Sequence, residues 1–173
     1  MITISVPSKV HLLGEHAVVY GKPALLAAIN KRISITIFLS KTKQIQVIKE
    51  HVKEVMQLLE ILEAEIKKLA KLKKIKPYGI TIKSQVPVGS GLGSSGAFTV
   101  GLLKALSRLQ GVQKSPKDLA EEAADLEINR LQAPIGKQDQ YMAAFGGFLH
   151  LVFEKDGRVV VNRTSLPPRV VNK

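Results

Sequence analysis

The segment PVGSGLGSSGAF at residues 87–98 concentrates glycine and serine between two apolar stretches. Ahead of it, Ile80 and Ile82 alternate with polar residues, which predicts a strand with both isoleucines on one face. Behind it, AFTVGLLKALSRLQGV repeats apolar residues at helical spacing and stops near Gly111. The segment is therefore predicted to turn the chain from a strand into the start of a helix.

A loop of this composition can hold an anion. The first N–H groups of a helix have no partner within the helix, and they lie at the positive end of its dipole. Gly89, Gly91 and Gly93 have no Cβ, so the backbone can approach a phosphate closely. Ser94 and Ser95 add hydroxyls, of which one could cap the helix and the other could face a phosphate or a magnesium ion. A surface turn with a serine cap is the alternative.

Two well-known phosphate motifs fit this loop less well. The segment lacks the Lys-Ser/Thr pair that closes a P-loop. Residues 91–96, GLGSSG, match the dinucleotide string G-x-G-x-x-G, but the acidic residue expected about twenty positions later would fall near Gln113. The sequence thus leaves a phosphate cradle that is not a dinucleotide site, or a plain turn.

Strands and helices alternate along the chain, which indicates an α+β domain. In the first half, we predict a strand over 2–6, a loop over 8–25, and a strand in which Ile33, Ile35 and Ile37 share a face. A long amphipathic helix is predicted over 47–72 and ends at Lys76-Pro77. In the second half, we predict a helix that starts at Pro116 with Ser115 as its cap, a short helical turn around 137–145, and two strands joined near Asp156-Gly157.

Composition limits the partners of the chain. Its 173 residues suit one domain with a hydrophobic core, no apolar run approaches the roughly 18 residues of a membrane span, and cysteine is absent. The N-terminus has a proline and charges where a secretion signal would be apolar, so we expect a soluble, cytoplasmic protein without a membrane partner.

The formal net charge of +12 would suit nucleic-acid binding, but the positive residues are not clustered as such binding requires. Much of the excess lies in residues 41–76, where lysines alternate with glutamates and apolar residues, as on a solvated helix face. We therefore expect no nucleic-acid partner. A positive field would favour an anionic small molecule.

Other ionisable residues are candidates for a site. Lys9, at the end of the first predicted strand, is either a surface lysine or a functional cation. Glu15 and His16 lie in an otherwise apolar loop, which is unusual for two ionisable side chains and suits a functional or a structural role equally. Asp139 follows a Pro-Ile-Gly break and is either a helix cap or a catalytic carboxylate.

Two of these segments resemble the ordered motifs of one family. PSKVHLLGEHAVVYGKPAL at residues 7–25 is similar to the first motif of the GHMP small-molecule kinases. PVGSGLGSSGAF at 87–98 is similar to the second, the phosphate loop, with Gly96 where alanine is usual. The resemblance extends over essentially the whole chain. It implies the fold of the second domain of ribosomal protein S5, and phosphorylation of a small-molecule alcohol with ATP and Mg²⁺.

Carried over by position, the resemblance gives each candidate a role. Asp139 would be the catalytic carboxylate that orients or deprotonates the substrate hydroxyl, and Lys9 its cationic neighbour, which lowers the pKa of Asp139. Glu15 and His16 would line the acceptor pocket. The implied ligands are Ser94 and Glu127 for the metal, and Pro87, Gly89, Ser90, Gly91, Leu92, Gly93, Ser94 and Ser95 for the ATP phosphates.

The resemblance leaves the acceptor open. GEHAVVYG at 14–21 looks most like the branch that phosphorylates mevalonate for isoprenoid precursor synthesis. QDQY and FGGF within residues 134–148 look closer to the family's kinases of sugars and heptose phosphates. A nucleotide-binding module without catalysis is the alternative from another class.

The resemblance also sets the expected domain organisation. Family members carry a C-terminal domain with a third glycine-rich motif, and no such motif follows Gly147. We therefore expect a GHMP N-terminal domain over residues 1–165, with 166–173 beginning a linker or a truncated second domain. The chain would then be a fragment, a split enzyme or a degenerate member, and a homodimer is compatible with each.

Overall fold

The computed structural model describes residues 1–39, 44–48, 57, 60, 78–87 and 89–164. One sheet contains six strands: β1 (Ile2–Leu13), β2 (Ala24–Leu39), β3 (Gln44–Ile48), β4 (Tyr78–Ser84), β5 (Phe148–Phe153) and β6 (Val159–Arg163). The strand order is β3-β4-β2-β5-β6, and β1 pairs with β2. β3 and β4 are parallel, whereas the other described pairs are antiparallel.

β2 is the central strand of the sheet. β1 runs alongside most of its length, β4 pairs with residues 33–39, and β5 pairs with residues 24–27. Alternate side chains of β2 and β4 are buried, which confirms the predicted strand periodicity. These buried residues are Ile33, Ile35, Ile37, Ile80 and Ile82.

Within the described residues, three α-helices have both ends defined: α1 (Ser94–Gln110), α2 (Pro116–Ala124) and α3 (Gln138–Phe145). α1 and α3 pack against β1 and β2, and α2 packs against both other helices. A π-helical turn, Asp125–Arg130, continues α2, and a 3-10 turn occupies Val18–Tyr20. None of the helices in these described ranges is long and apolar enough to cross a membrane.

Local chemistry sets the end of α1 and the start of α2 as predicted. α1 ends at Gly111, whose φ of 74° lies in the left-handed region that suits glycine. Ser115 caps α2 in a reciprocal capping box with Asp118, and Pro116 occupies the first helical position.

β1 is longer than predicted. It continues through the segment 8–13, so this half of the first motif lies on a strand and not in a loop. Pro7 does not break the strand because it lies at a register shift, where Pro7 pairs with Arg32 and Ser8 pairs with Ile29. The sheet therefore holds these motif residues in place.

The predicted long helix over 47–72 starts too early. Val47 and Ile48 belong to β3, where they pair with β4, because β-branched apolar residues suit a strand as well as an amphipathic pattern. Gln57 and Glu60 are helical and exposed. The rest of this predicted helix and the residues predicted to end it lie outside the described residues, as does the predicted linker at 166–173.

Candidate active site

Four segments that are far apart in sequence enclose one cleft of about 520 Å³. They are the second half of β1, the loop that follows it, the glycine-rich loop before α1, and the start of α3. Most of the residues predicted from sequence are brought together here. Those that line the cleft are Lys9, Glu15, His16, Gly89, Gly91, Gly93, Ser94, Ser95 and Asp139.

The glycine-rich loop has a left-handed backbone at alternate residues. Gly89, Gly91 and Gly93 have φ values of 69°, 71° and 70°, which side chains disfavour. Gly93 is the N-cap of α1, and no side chain among the described residues caps the start of this helix. The alternative in which a serine caps the helix is therefore wrong. The first N–H groups of α1 are not taken by a capping side chain, which suits an anion.

Lys9 fastens the glycine-rich loop to β1. Its backbone N–H donates to the Leu92 carbonyl at 3.0 Å, and its Nζ donates to the Gly91 carbonyl at 2.7 Å. Within the loop, Ser90 Oγ donates to the Pro87 carbonyl at 2.8 Å. The two sequence motifs are thus hydrogen-bonded into one unit.

Lys9 is a buried cation. Only 4% of its side chain is exposed, so the alternative of a surface lysine is wrong. Its Nζ lies 3.4 Å from Asp139 Oδ1 and 3.8 Å from Glu15 Oε1. It also donates a hydrogen bond to His11 Nδ1 at 2.7 Å. The ammonium therefore lies between two carboxylates and an imidazole.

Asp139 is the second residue of α3, whose N-cap is Lys137, so Asp139 is not a helix cap. Burial raises the pKa of Asp139, and the Lys9 ammonium acts against this rise. Lys9 thus acts in the predicted direction, but burial has the larger effect. At 3.4 Å their contact is an ion pair, and Oδ1 has no hydrogen-bond partner within the described part of the chain.

Two glycines of the phosphate motif let Lys9 and Asp139 approach α1 closely. A Cβ on Gly93 would lie 2.8 Å from Lys9 Cγ. A Cβ on Gly96 would lie 2.9 Å from Asp139 Cβ and 3.0 Å from its carbonyl carbon. The departure from the family's usual alanine at Gly96 therefore falls where the backbone of α3 leaves no room for a methyl group.

Glu127 lies behind the cleft on the π-helical turn and is 1% exposed. Ser95 Oγ and Gln140 Nε2 donate hydrogen bonds to its two carboxylate oxygens. Burial raises the pKa of Glu127 against the effect of these hydrogen bonds. Of the two loop serines, Ser95 donates to Glu127, and both serines line the cleft.

Sequence reasoning missed His11 and Gln140. His11 is two residues after Lys9, and strand periodicity would have put both on one face of β1, but a loop was predicted there. Gln140 adjoins Asp139, and no pattern in the sequence marks it as a partner of Glu127.

Comparisons with known proteins identify the family of the chain. The family described as GHMP kinases N terminal domain matches residues 50–147, more than half of the chain. The mevalonate kinase of Methanothermobacter thermautotrophicus is 34% identical over 149 residues, which cover 85% of this chain and 49% of the relative. The mevalonate kinase of Pyrococcus furiosus is 32% identical over 171 residues, which cover 86% of this chain and 51% of the relative.

Solved structures share the fold. A D-glycero-D-manno-heptose 1-phosphate kinase from Bacteriodes thetaiotaomicron superposes with a TM-score of 0.79 at 23% identity, over 99% of this chain and 62% of that one. The mevalonate kinase of Methanococcus jannaschii superposes with a TM-score of 0.69 at 24% identity, over 95% and 56%. These likenesses confirm the predicted α+β fold of a GHMP N-terminal domain.

The chain belongs to the GHMP kinase family, through the match to the N-terminal domain. The chain spans about half the length of the curated relatives it matches.

Proposed function

We propose that residues 1–165 form the nucleotide-binding and catalytic domain of a kinase that transfers the γ-phosphate of ATP to the hydroxyl of mevalonate. The observation that carries the proposal is the Lys9–Asp139 ion pair, 3.4 Å long, in the same cleft as the uncapped start of α1. Phosphoryl transfer depends on positioning and charge neutralisation, and these groups supply both.

The glycine-rich loop is the proposed site for the ATP phosphates. Its alternate left-handed glycines turn the backbone so that N–H groups can converge on an anion. The positive end of the α1 dipole adds to this attraction. The residues assigned to it are Pro87, Gly89, Ser90, Gly91, Leu92, Gly93, Ser94 and Ser95.

Asp139 is the proposed acceptor for the proton of the substrate hydroxyl. Its carboxylate lines the cleft, and Oδ1 has unused acceptor capacity among the described residues. Burial raises its pKa, and a more basic carboxylate takes a proton from an alcohol more readily. Asp139 would therefore orient the hydroxyl and remove its proton as the oxygen–phosphorus bond forms, while ADP leaves.

Lys9 is the proposed source of positive charge beside this step. Its Nζ is held by the Gly91 carbonyl at 2.7 Å, which ties the cation to the phosphate loop. It also faces Asp139, so it lies between the proton acceptor and the loop. A cation fixed in a buried place stabilises negative charge that develops during transfer, without reorganisation.

Glu127 and a serine of the glycine-rich loop are the proposed ligands of a magnesium ion. Glu127 is a buried carboxylate whose hydrogen bonds come from neutral donors, and no cationic side chain in the described ranges forms an ion pair with it. Mg²⁺ needs only one or two protein carboxylates, because phosphates and waters complete its shell. Glu127 would hold it with a serine of the loop, Ser94 as predicted or the adjacent Ser95. When bound, the ion neutralises phosphate charge.

Glu15 and His16 are the proposed acceptor-binding residues, since both line the cleft beside Lys9. Mevalonate is the first choice because the curated relatives are mevalonate kinases at 28% to 34% identity. The reaction would then belong to isoprenoid precursor synthesis, and we expect it in the cytoplasm.

A phosphotransfer assay that couples ADP formation to NADH oxidation tests this function. It is run on this chain, with mevalonate, hexoses and heptose phosphates as acceptors. We expect ADP formation that requires both mevalonate and Mg²⁺. Turnover with a heptose phosphate alone would favour the sugar-kinase alternative. ATP binding by calorimetry without turnover on any acceptor would favour a binding module without catalysis.

A further inference from the structure

The Lys9 ammonium has three protons to donate. Two go to short hydrogen bonds, at 2.7 Å to the Gly91 carbonyl and at 2.7 Å to His11 Nδ1. Its contacts with Asp139 Oδ1 at 3.4 Å and Glu15 Oε1 at 3.8 Å are ion pairs. The position of the ammonium relative to Asp139 therefore depends on the two hydrogen-bond acceptors.

The stem of Lys9 does not set this position by itself. It packs on Gly93, where a Cβ would lie 2.8 Å from Lys9 Cγ and 3.0 Å from Lys9 Cε, so the stem is confined on one side. Four side-chain torsions still lie between the strand and Nζ, and a lysine head group rotates easily. Fixed acceptors are thus needed to hold Nζ at one place in the cleft.

His11 is suited to be such an acceptor. Its side chain is 4% exposed, and it follows Lys9 by two residues on β1, so both side chains are anchored on the same face of one strand. Burial, together with the Lys9 ammonium, lowers the pKa of His11 to about 4, while Glu15 acts in the opposite direction and His16 in the same one. His11 is therefore neutral at pH 7.

The neutral ring has one nitrogen that accepts and one that donates. Because an ammonium only donates, Nδ1 must be the accepting nitrogen, and Nε2 carries the ring proton. Nε2 is buried and has no hydrogen-bond partner in the described ranges. Glu15 Oε1 lies 3.6 Å from Nδ1, beyond hydrogen-bond distance, so among the described residues Lys9 is the hydrogen-bond partner that orients the ring.

We propose that His11 is a positioning residue, whose Nδ1 accepts a hydrogen bond from Lys9 and so holds the ammonium between Asp139 and the phosphate loop. The expected effect on turnover rests on the proposed kinase function, because a displaced ammonium would no longer stabilise the developing charge. The hydrogen bond between His11 and Lys9 is independent of that function.

Two substitutions separate the acceptor from the bulk of the side chain. His11→Asn keeps an acceptor, since its Oδ1 is bonded to Cγ as Nδ1 is in histidine. His11→Leu has similar bulk and no acceptor. We expect His11→Leu to lower kcat by about 10- to 100-fold, the effect of losing one hydrogen bond to a charged group, with the KM for ATP nearly unchanged. His11→Asn should retain most of the wild-type kcat.

Equal kcat values for the Asn and Leu variants, whether both high or both low, would overturn the proposal. Thermal unfolding checks that each variant folds. His11→Ile is a second variant without an acceptor if the leucine does not fold, since a β-branched residue suits a strand.

A second readout needs no turnover. Trace acetylation by acetic anhydride, followed by mass spectrometry, compares the reactivity of Lys9 with that of Lys104 in the same molecule. We expect Lys9 to react about 10-fold faster in His11→Leu, because its ammonium loses an acceptor, and at the wild-type rate in His11→Asn. Unchanged Lys9 reactivity in the leucine variant would refute the contact. If the wild-type protein transfers no phosphate, the kinase proposal fails, and this measurement still decides the role of His11.

Discussion

Two lysine–carboxylate pairs meet at the start of α3, and their carboxylates behave in opposite ways. Asp139 is largely buried, lies 3.4 Å from Lys9, and has a raised pKa. Glu121 accepts hydrogen bonds from Lys137 Nζ at 2.8 Å and from the Tyr141 hydroxyl. Although burial acts to raise the pKa of Glu121, these hydrogen bonds hold it below its ordinary value. Pairing with a lysine therefore accompanies a lowered pKa at Glu121, whereas at Asp139 the effect of burial is larger than that of the lysine.

The second pair is structural, and we call Glu121, Lys137 and Tyr141 the α3 brace. Glu121 lies on α2 and Tyr141 on α3, so the brace joins the two helices. Lys137 also donates to the Gly157 carbonyl at 3.1 Å, which adds the turn between β5 and β6. The α3 brace stabilises the fold because its charged groups have hydrogen-bond partners. A carboxylate that accepts a proton from a substrate instead needs an oxygen that is free to accept.

The sharpest test of this contrast replaces each carboxylate by its amide. Asp139→Asn should lower kcat by about 100- to 10,000-fold, the usual contribution of a positioned general base, while ATP binding is largely kept. Glu121→Gln should leave kcat nearly unchanged. Steady-state kinetics and calorimetric titration with ATP measure both effects.

The contrast would fail in either of two ways. Turnover that survives Asp139→Asn would remove Asp139 from the reaction. A loss of kcat in Glu121→Gln as large as that in Asp139→Asn would show that the brace and the proton acceptor are not separable.

A smaller effect is expected from crowding of the Asp139 backbone. Gly96→Ala adds a methyl group 3.0 Å from the Asp139 carbonyl carbon, which must move α3 away from α1. We expect kcat to fall by about 10-fold, because misplacement of a catalytic group by a fraction of an ångström slows transfer.

Gly101→Ala is the matched control on the same helix. Its Cβ would lie 2.9 Å from Ile35 Cδ1 and 3.0 Å from Val6 Cγ2, which are core residues that do not line the cleft. This variant should lower the free energy of unfolding with little change in kcat. If the two alanine variants lose kcat in the same proportion to their loss in free energy of unfolding, crowding at Gly96 acts through general destabilisation only.

The smallest effect is a difference in the pH dependence of stability. Glu121 has a lowered pKa, so its contribution is present above the ordinary glutamate pKa and is lost as pH falls through the folded value. Asp139 has a raised pKa, so its contribution is present below the ordinary aspartate pKa and is lost as pH rises through the folded value.

Denaturant unfolding between pH 3 and pH 7 should therefore give opposite slopes. Glu121→Gln should be less stable than the wild type by about 1 kcal/mol or less at pH 7, since the group is partly exposed, and the gap should close in acid. Asp139→Asn should become more stable relative to the wild type as pH rises. Slopes of the same sign for the two variants would contradict the assigned pKa directions.

Much of the fold could be predicted because its signals are local. Alternating isoleucines identify β2 and β4, and a serine–proline pair starts α2. The prediction was wrong where a local signal has two meanings. Pro7 usually breaks a strand, but a register shift accommodates it, and Val47 fits either a strand or an amphipathic helix.

The site could be predicted in outline but not in its contacts. The glycine-rich segment indicates an anion site before a helix, and the first motif marks Lys9, Glu15 and His16 as candidates. No pattern in the sequence shows that Ser95, and not Ser94, contacts Glu127. On a helix start, adjacent serines point about 100° apart, so only the position of the π-helical turn decides between them.

The sequence by itself determined the order of strand, glycine-rich loop and helix, and the presence of ionisable groups in two motifs. Turn chemistry and periodicity act between neighbours, so they are visible in a single chain. Only the tertiary structure decided that Lys9 is buried, that its ammonium donates a hydrogen bond to the Gly91 carbonyl, and that Asp139 has a raised pKa. Those properties depend on distance and solvent exclusion between segments more than 80 residues apart, as between Lys9 and Gly91.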